Sequence, residues 1–431
     1  MGSKHFFLTG ATIIKGTDEP PIHQASIEIK NGRIRNIVKE KSVRNQKIPV
    51  IDVTGMTVLP GLIDMHAHNV AKFDAIRKLL LSHGVTAVRD SEVNPKRARL
   101  FNLQKKFRFG SKLSPKIYLT SPFFDSSPKE GDLALSSERF ITKPIVINDP
   151  KSSRSQVEKA KKAGFNIVEV NYNIDEEVLR SIAGSAKDLN LPLIGDFLFS
   201  RRVFASQAAR AGVKALDHGG GIAQQFCDNL HEIGFFDEWN NVNEEKVLAF
   251  AATLAKTGVF LIPTLVWFEA QSRLSEQSVN SVKLFEKLPE DVKRSWMHPN
   301  PIFGLEKWEK GARASFQKLK EFLAVFVRFG GKVVTGTDSP IYFVFPGTSI
   351  HREMELLVAS NLTPMQAIQA ATRNSAELLG EKNIGTIEKG KIADLLVIEG
   401  NPLKDIKATR NIKIIFKDGA TYHPKRLLDS I

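Results

Sequence analysis

A single repeating unit constrains this chain more than any other feature: a helical segment closes on a glycine, and a short β-branched run follows at once. It stands at His83-Gly84-Val85-Thr-Ala-Val88, Ala163-Gly164-Phe165-Asn-Ile-Val168, Ala211-Gly212-Val213, Thr257-Gly258-Val259-Phe-Leu-Ile262 and Phe329-Gly330-Gly331-Lys-Val-Val334. Glycine just past a helix end takes the left-handed conformation that closes the helix. An unbroken apolar run suits a parallel strand covered on both faces. Helices are expected between the runs, for example from Asp175 to Leu189 and from Glu244 to Lys256. Thr363-Pro-Met-Gln366 opens another, with a capping threonine, proline in the first turn and glutamine three residues on. Strands alternating with helices give an α/β fold, and a chain of 431 residues favours a closed (β/α)8 TIM barrel over an open sheet.

The two ends read differently. Short alternating strands fill residues 5 to 58, with an Asn31-Gly32 hairpin signal between Ile27-Glu-Ile29 and Ile34-Arg-Asn-Ile37. The C-terminal end mirrors this with Leu395-Leu-Val-Ile398, Ile412-Lys-Ile-Ile-Phe416 and an Asp418-Gly419 turn. Neither end has enough strands for a stable sheet alone, so the two are expected to join as one small β-sandwich. The expected domains are thus residues 1–59 and 381–431 for the sandwich and 60–380 for the barrel. The stretch from about Trp267 to Lys310, with Trp296 and Trp308, reads as an insertion after the seventh barrel strand.

Bulk properties narrow the classes. No stretch reaches the roughly 18 apolar residues of a membrane span, and the N-terminus has no apolar core with a small-residue cleavage site, so a cytoplasmic location is expected. The one cysteine, Cys227, excludes an internal disulfide and a thiolate metal cage. The net charge of +14 is spread as single lysines and arginines, and the densest groups, Arg201-Arg202 and Lys105-Lys-Phe-Arg108, are short. That pattern reads as a solvated basic surface, not a nucleic-acid reader. A small-molecule substrate is expected, with homo-oligomerisation left open.

Pro60-Gly-Leu-Ile-Asp-Met-His66-Ala-His68 carries the strongest chemical signal. Residues two apart on a strand share a side, so both imidazoles converge on one point, a good bed for a divalent ion. Alone, His-x-His is equally an ordinary surface pair; its place at the end of the first barrel strand raises it. Asp338, in Val333-Val-Thr-Gly-Thr-Asp338-Ser-Pro340, leaves the eighth strand, which adjoins the first in a closed barrel. It reads as a ligand and proton acceptor, or as a turn residue. His218, in Ala215-Leu-Asp-His218-Gly, ends the sixth strand. Arg201 and Arg202 follow the fifth strand and are candidates to hold a substrate carboxylate.

These segments, with Gly84-Val-Thr-Ala-Val-Arg-Asp90 and Ile384-Gly-Thr-Ile-Glu-Lys-Gly-Lys-Ile-Ala-Asp-Leu-Leu-Val-Ile398, resemble the amidohydrolase superfamily. The branch most like it holds imidazolonepropionases and metal-dependent prolidase-like or Xaa-Arg dipeptidases; Pro263-Thr-Leu265 and Pro346-Gly-Thr-Ser-Ile-His351 also match it. The resemblance implies a barrel with a sandwich from both termini and one or two divalent ions (zinc, with manganese or iron as alternatives). It also implies water-dependent cleavage of an amide, peptide or similar C–N bond. It makes His66, His68, His218 and Asp338 metal ligands, with Asp338 also the catalytic base. Two positions depart from the branch: Glu169 stands where a carboxylated lysine bridges two ions, and Asp196 where the fifth strand supplies a histidine. Both are candidate ligands, in competition with a mononuclear site. Phosphotriester or lactone hydrolysis, ring deamination, and a catalytically impaired binding protein remain alternatives.

Overall fold

The computed structural model describes residues 5–39, 48–93, 113–133 and 142–431. The basic group at 105–108 therefore lies outside the described residues. Strands from both chain ends pair in one eight-stranded sheet. Its path runs Ala420–Tyr422, Ile412–Lys417, Leu395–Ile398, Thr57–Pro60, His5–Ile13, Ile22–Lys30 and Arg33–Lys39, and Val50–Asp52 also pairs with His5–Ile13. The join between the ends is the antiparallel register of Leu395 with Pro60 through Ile398 with Thr57. The sheet has its own apolar core, with Leu8, Ile13, Ile27, Val58, Leu395 and Phe416 all fully buried.

Between these ends the chain alternates parallel strands with helices, giving a mixed α/β fold. Leu62–His68, Val85–Ser91 and Lys116–Leu119 form one parallel sheet. Val168–Val170, Leu193–Asp196, Ala215–Asp217, Phe260–Ile262 and Lys332–Val333 form a second, with two short strands at its edge. Backbone hydrogen bonds link the two sheets on both sides. On one side Ser121 N donates to Ile167 O (3.0 Å) and Asn166 N to Leu119 O (2.9 Å). On the other Met65 N donates to Thr335 O and His68 N to Ser339 O, both at 2.8 Å. Ile63, Ala87, Tyr118, Ile194, Ala215 and Ile262, from six of these strands, pack into one buried cluster with Ile167 and Val334, which flank the other two. Their intervening neighbours Val88, Val168, Leu193, Leu216 and Leu261 pack outward with the helices. Period-two alternation in strands buried on both faces thus sorts each side chain to one of two apolar environments.

The helices form where the periodicity places them. Glu176–Asp188 buries Val178, Leu179, Ile182, Ala183 and Ala186 on one face. Pro364–Ala370 starts with a complete capping box, Thr363 accepting from Gln366 N while the Gln366 side chain accepts from Thr363 N. The stretch after the seventh strand folds as helix Leu265–Gln271, three short 3-10 turns, helix Glu290–Met297 and the long helix Leu305–Arg328. Two of its tryptophans dock it: Trp296 Nε1 donates to Pro340 O (2.8 Å) and Trp308 Nε1 to Gln271 Oε1 (3.1 Å).

Candidate metal centre

Among the described residues, His66, His68 and Asp338 are the one group of histidine, cysteine or acidic side chains whose ligand atoms converge, all within 4.8 Å of one another. His66 Nε2 stands 3.2 Å from His68 Nε2. Asp338 Oδ1 is 3.4 Å from the first imidazole and 2.8 Å from the second. All three side chains are buried. The eighth strand reaches His66 because Gly336 lies against it: a Cβ there would fall 2.4 Å from Ile262 Cγ2 and 2.9 Å from His66 Cβ.

The backbone at the strand exits is held in an uncommon conformation. Asn69, Glu92, His218, Thr264 and Asp338 all have φ between 48° and 61°, although none is glycine. Such residues persist only where the surroundings over-determine them, and they cluster at functional sites.

Two of the imidazoles are oriented by a second group. His66 Nδ1 lies 2.9 Å from Asp217 Oδ1, which leaves Nε2 facing His68 and Asp338. His218 Nδ1 lies 2.7 Å from Thr264 Oγ1, and its ring is 4.8 Å from that of His66. Trp267 covers the His218 ring at 5.4 Å. Asp64 accepts from His66 N and from both the backbone and hydroxyl of Thr337, tying the first strand to the eighth. Asp90 accepts from Val70 N and Ala71 N, fixing the loop after His68.

The electrostatics favour a cation here. Burial disfavours a charged His66, yet the Asp217 carboxylate outweighs it and the imidazole is pushed up to about 10. Burial likewise opposes ionisation of Asp338, but hydrogen bonds and charge from His66 and His68 hold it well below the usual carboxylate range. His218 is different: burial dominates and pushes it down, towards the neutral form that can act as a ligand. His68 Nδ1 has no hydrogen-bond partner, and Asp338 Oδ1 has no well-directed donor. Two imidazoles and a carboxylate, buried and crowded on one point, fit a divalent ion.

The other expected residues fall into three places. Asp196, at the end of the fifth strand, lies with Oδ2 3.9 Å from His218 Nε2, while its Oδ1 accepts from Leu198 N. Glu169 stands outside the convergent trio. Its Oε1 accepts from Arg89 Nη1 at 3.0 Å and its Oε2 from Ser91 Oγ at 2.7 Å. Arg201 and Arg202, the candidates to hold a substrate carboxylate, both have partners within the chain. Arg201 Nη1 is 3.0 Å from Glu238 Oε1, Nη2 donates to Ile233 O, and the guanidinium lies over Phe235. Arg202 engages Asp132, Asp175, Ser127 O and Asn173 O.

Reading motifs alone missed Arg89, Asp217 and Thr264 as parts of the site. A signal for the first was present: an arginine inside the fully buried strand Val85–Ser91 has to find buried anions. Asp217 was adjacent to His218 and inward by alternation. Thr264 had no comparable mark.

The model of the amidohydrolase family matches residues 57–422. A curated ochratoxinase of Aspergillus niger is 30% identical over 113 residues, 26% of this chain and 22% of the relative, so the match spans about a fifth of that protein's length. The crystal structure of A. niger ochratoxinase superposes with a TM-score of 0.70 at 18% identity, covering 97% of this chain and 96% of that one. A Xaa-Pro dipeptidase with methionine bound in its active site gives 0.71 at 21% identity, covering 97% and 100%. At these identities the superpositions speak for the fold alone. The family match, by contrast, runs from the strand before His66 to beyond Asp338 and into the C-terminal strands, and the chain belongs to the amidohydrolase family.

Proposed function

We propose that this chain is a metal-dependent hydrolase of an amide, peptide or related C–N bond, working at the C-terminal end of a (β/α)8 barrel over residues 60–380. The terminal segments 1–59 and 381–431 then form its β-sandwich companion. The two sets of linking hydrogen bonds between the parallel sheets support the barrel reading. The convergence of His66, His68 and Asp338 carries the functional one.

A divalent ion on that trio would supply Lewis acidity and a water nucleophilic at neutral pH. Zinc suits two imidazoles and a carboxylate, and manganese or iron would compete through the oxygen donors nearby. The chain's own residues do the rest. Asp217 holds His66 with Nε2 facing inward. Asp338, beside both imidazoles, would take a proton from the attacking water and return it to the leaving nitrogen. His218, neutral and fixed by Thr264, faces the same space, and Trp267 keeps water from its far side. The names of two relatives, an N-acyl-D-aspartate deacylase and a Xaa-Pro dipeptidase, support a C–N bond over a phosphoester or lactone.

The test is turnover of a metal-loaded sample on N-acyl amino acids and dipeptides, against lactones, aryl phosphotriesters and amino-substituted rings. Cleavage of the first group is expected, with chelation abolishing it and lowering thermal stability together. An ion bound a hundredfold above its Kd stabilises the folded state by about 2.7 kcal/mol. Full activity after exhaustive chelation would sink the reading.

A further inference from the structure

Arg89 is fully buried, and each of its three nitrogens donates. Nε donates to Met65 O, Nη1 to Glu169 Oε1 at 3.0 Å, and Nη2 to both oxygens of Asp217 at 2.9 and 2.8 Å. A guanidinium cannot shed its proton, so this is a permanent positive charge inside the protein, 2.7 Å from His66 Nδ1. Ser91, two residues along the same strand, takes the second oxygen of Glu169. Both oxygens of the fourth-strand carboxylate are therefore bonded by the second strand.

We infer that Arg89 is a built-in cation standing in for a second metal ion, so that the centre holds one ion and Glu169 is the partner of Arg89, not a bridging ligand. The inference rests on the metal-hydrolase reading given above. Charge supports it: the guanidinium already neutralises Glu169 and bonds both oxygens of Asp217, the two carboxylates nearest to it. A second divalent ion would place two more beside a fixed guanidinium, in a buried site where like charges repel strongly. His218 uses Nδ1 on Thr264 and Asp196 uses Oδ1 on Leu198 N, so a second ion would have to rest on His218 Nε2 and Asp196 Oδ2 with no carboxylate left to bridge it to the first.

Manganese reconstitution reads this without reference to turnover. The wild-type protein, saturated with Mn2+ and freed of excess, is expected to hold one equivalent by elemental analysis. Its electron paramagnetic resonance spectrum should be the six-line pattern of an isolated ion. Glu169→Gln, which keeps an acceptor oxygen for Arg89, should hold the same single equivalent. Arg89→Met removes the charge but also unties the buried knot, so the wild-type and Glu169→Gln measurements decide. Two equivalents with an exchange-coupled spectrum, one of them lost in Glu169→Gln, would overturn the inference and leave the hydrolase reading standing. No bound ion, or binding indifferent to a His66→Ala/His68→Ala double substitution, would remove both.

Discussion

Asn31 and Asp418 in the terminal sheet share a backbone conformation with His218 and Asp338 at the strand exits: all four have φ between 52° and 61°. The same strain is there for opposite reasons. In the sheet, Asn31-Gly32 and Asp418-Gly419 join Ile22–Lys30 to Arg33–Lys39 and Ile412–Lys417 to Ala420–Tyr422, and residues of this type are what two-residue hairpins need. The two turns also touch, since a Cβ on Gly419 would lie 2.5 Å from Gly32 Cα. At the exits the residue is there for its side chain, and neighbouring strands hold its backbone. His218 N donates to Ile262 O at 2.8 Å, and Asp338 N to His66 O at 2.7 Å. A non-glycine residue held this way costs of order 1–3 kcal/mol. In a hairpin the local sequence offsets that cost; at the exits only the assembled fold can.

Asp338 offers the sharpest way to break the comparison. Asp338→Asn keeps the size of the side chain and its tolerance of a left-handed backbone, and removes the charge. Turnover is expected to fall at least ~10²-fold, as for a lost general base, and metal affinity to fall with it, in a protein whose circular dichroism shows the fold retained. Near-normal turnover would make Asp338 a turn residue like Asp418.

A matched pair of glycines separates the two regions next. Gly336→Ala drives a methyl into Ile262 and His66, and Gly419→Ala drives one into Gly32. Overpacking of this kind typically costs about 1–3 kcal/mol, so both variants should melt lower than the parent. Only Gly336→Ala should also weaken metal binding, read by titration of the folded protein, because only it displaces a metal-centre residue. Equal metal affinity in the two variants would show that the eighth strand does not position His66.

The same contrast explains what the sequence made legible. Hairpin signals, helix-closing glycines and the Thr363 capping box act within a few residues, so they announce themselves. His66 and His68 were legible because two-residue spacing on one strand already implies convergence, and the family resemblance located Asp338 opposite them. Glu169 and Asp196 were found as positions, but their partners were not. Whether a carboxylate faces an ion or a guanidinium depends on Arg89, eighty residues away in the chain. The partners of Arg201 and Arg202 were hidden for the same reason, since Glu238, Asp132 and Asp175 arrive on other loops. Long-range pairing of buried charge leaves no local periodicity to read.

The smallest expected effect concerns Glu353, on helix Thr348–Ala359, which ties that helix to the seventh-strand exit. Glu353 is fully buried and Oε2 accepts from Val266 N at 2.7 Å, at the start of helix Leu265–Gln271 and two residues from Thr264. Burial pushes its carboxyl up to about 8, from an ordinary 4.5, with the backbone donors offsetting only part of that shift. The folded protein therefore keeps a proton that the unfolded chain has lost across that window. Stability from this group is complete below about 4.5 and is lost as pH rises through about 8. Glu353→Gln preserves an acceptor for Val266 N without a titrating proton, so its melting temperature should fall less than the parent's between pH 5 and pH 9. Its metal affinity should match the parent's at low pH, where both side chains are neutral. Identical pH slopes in the two proteins would mean that Glu353 is charged when folded, and that the exit holding Thr264 and His218 is wetter than its packing indicates.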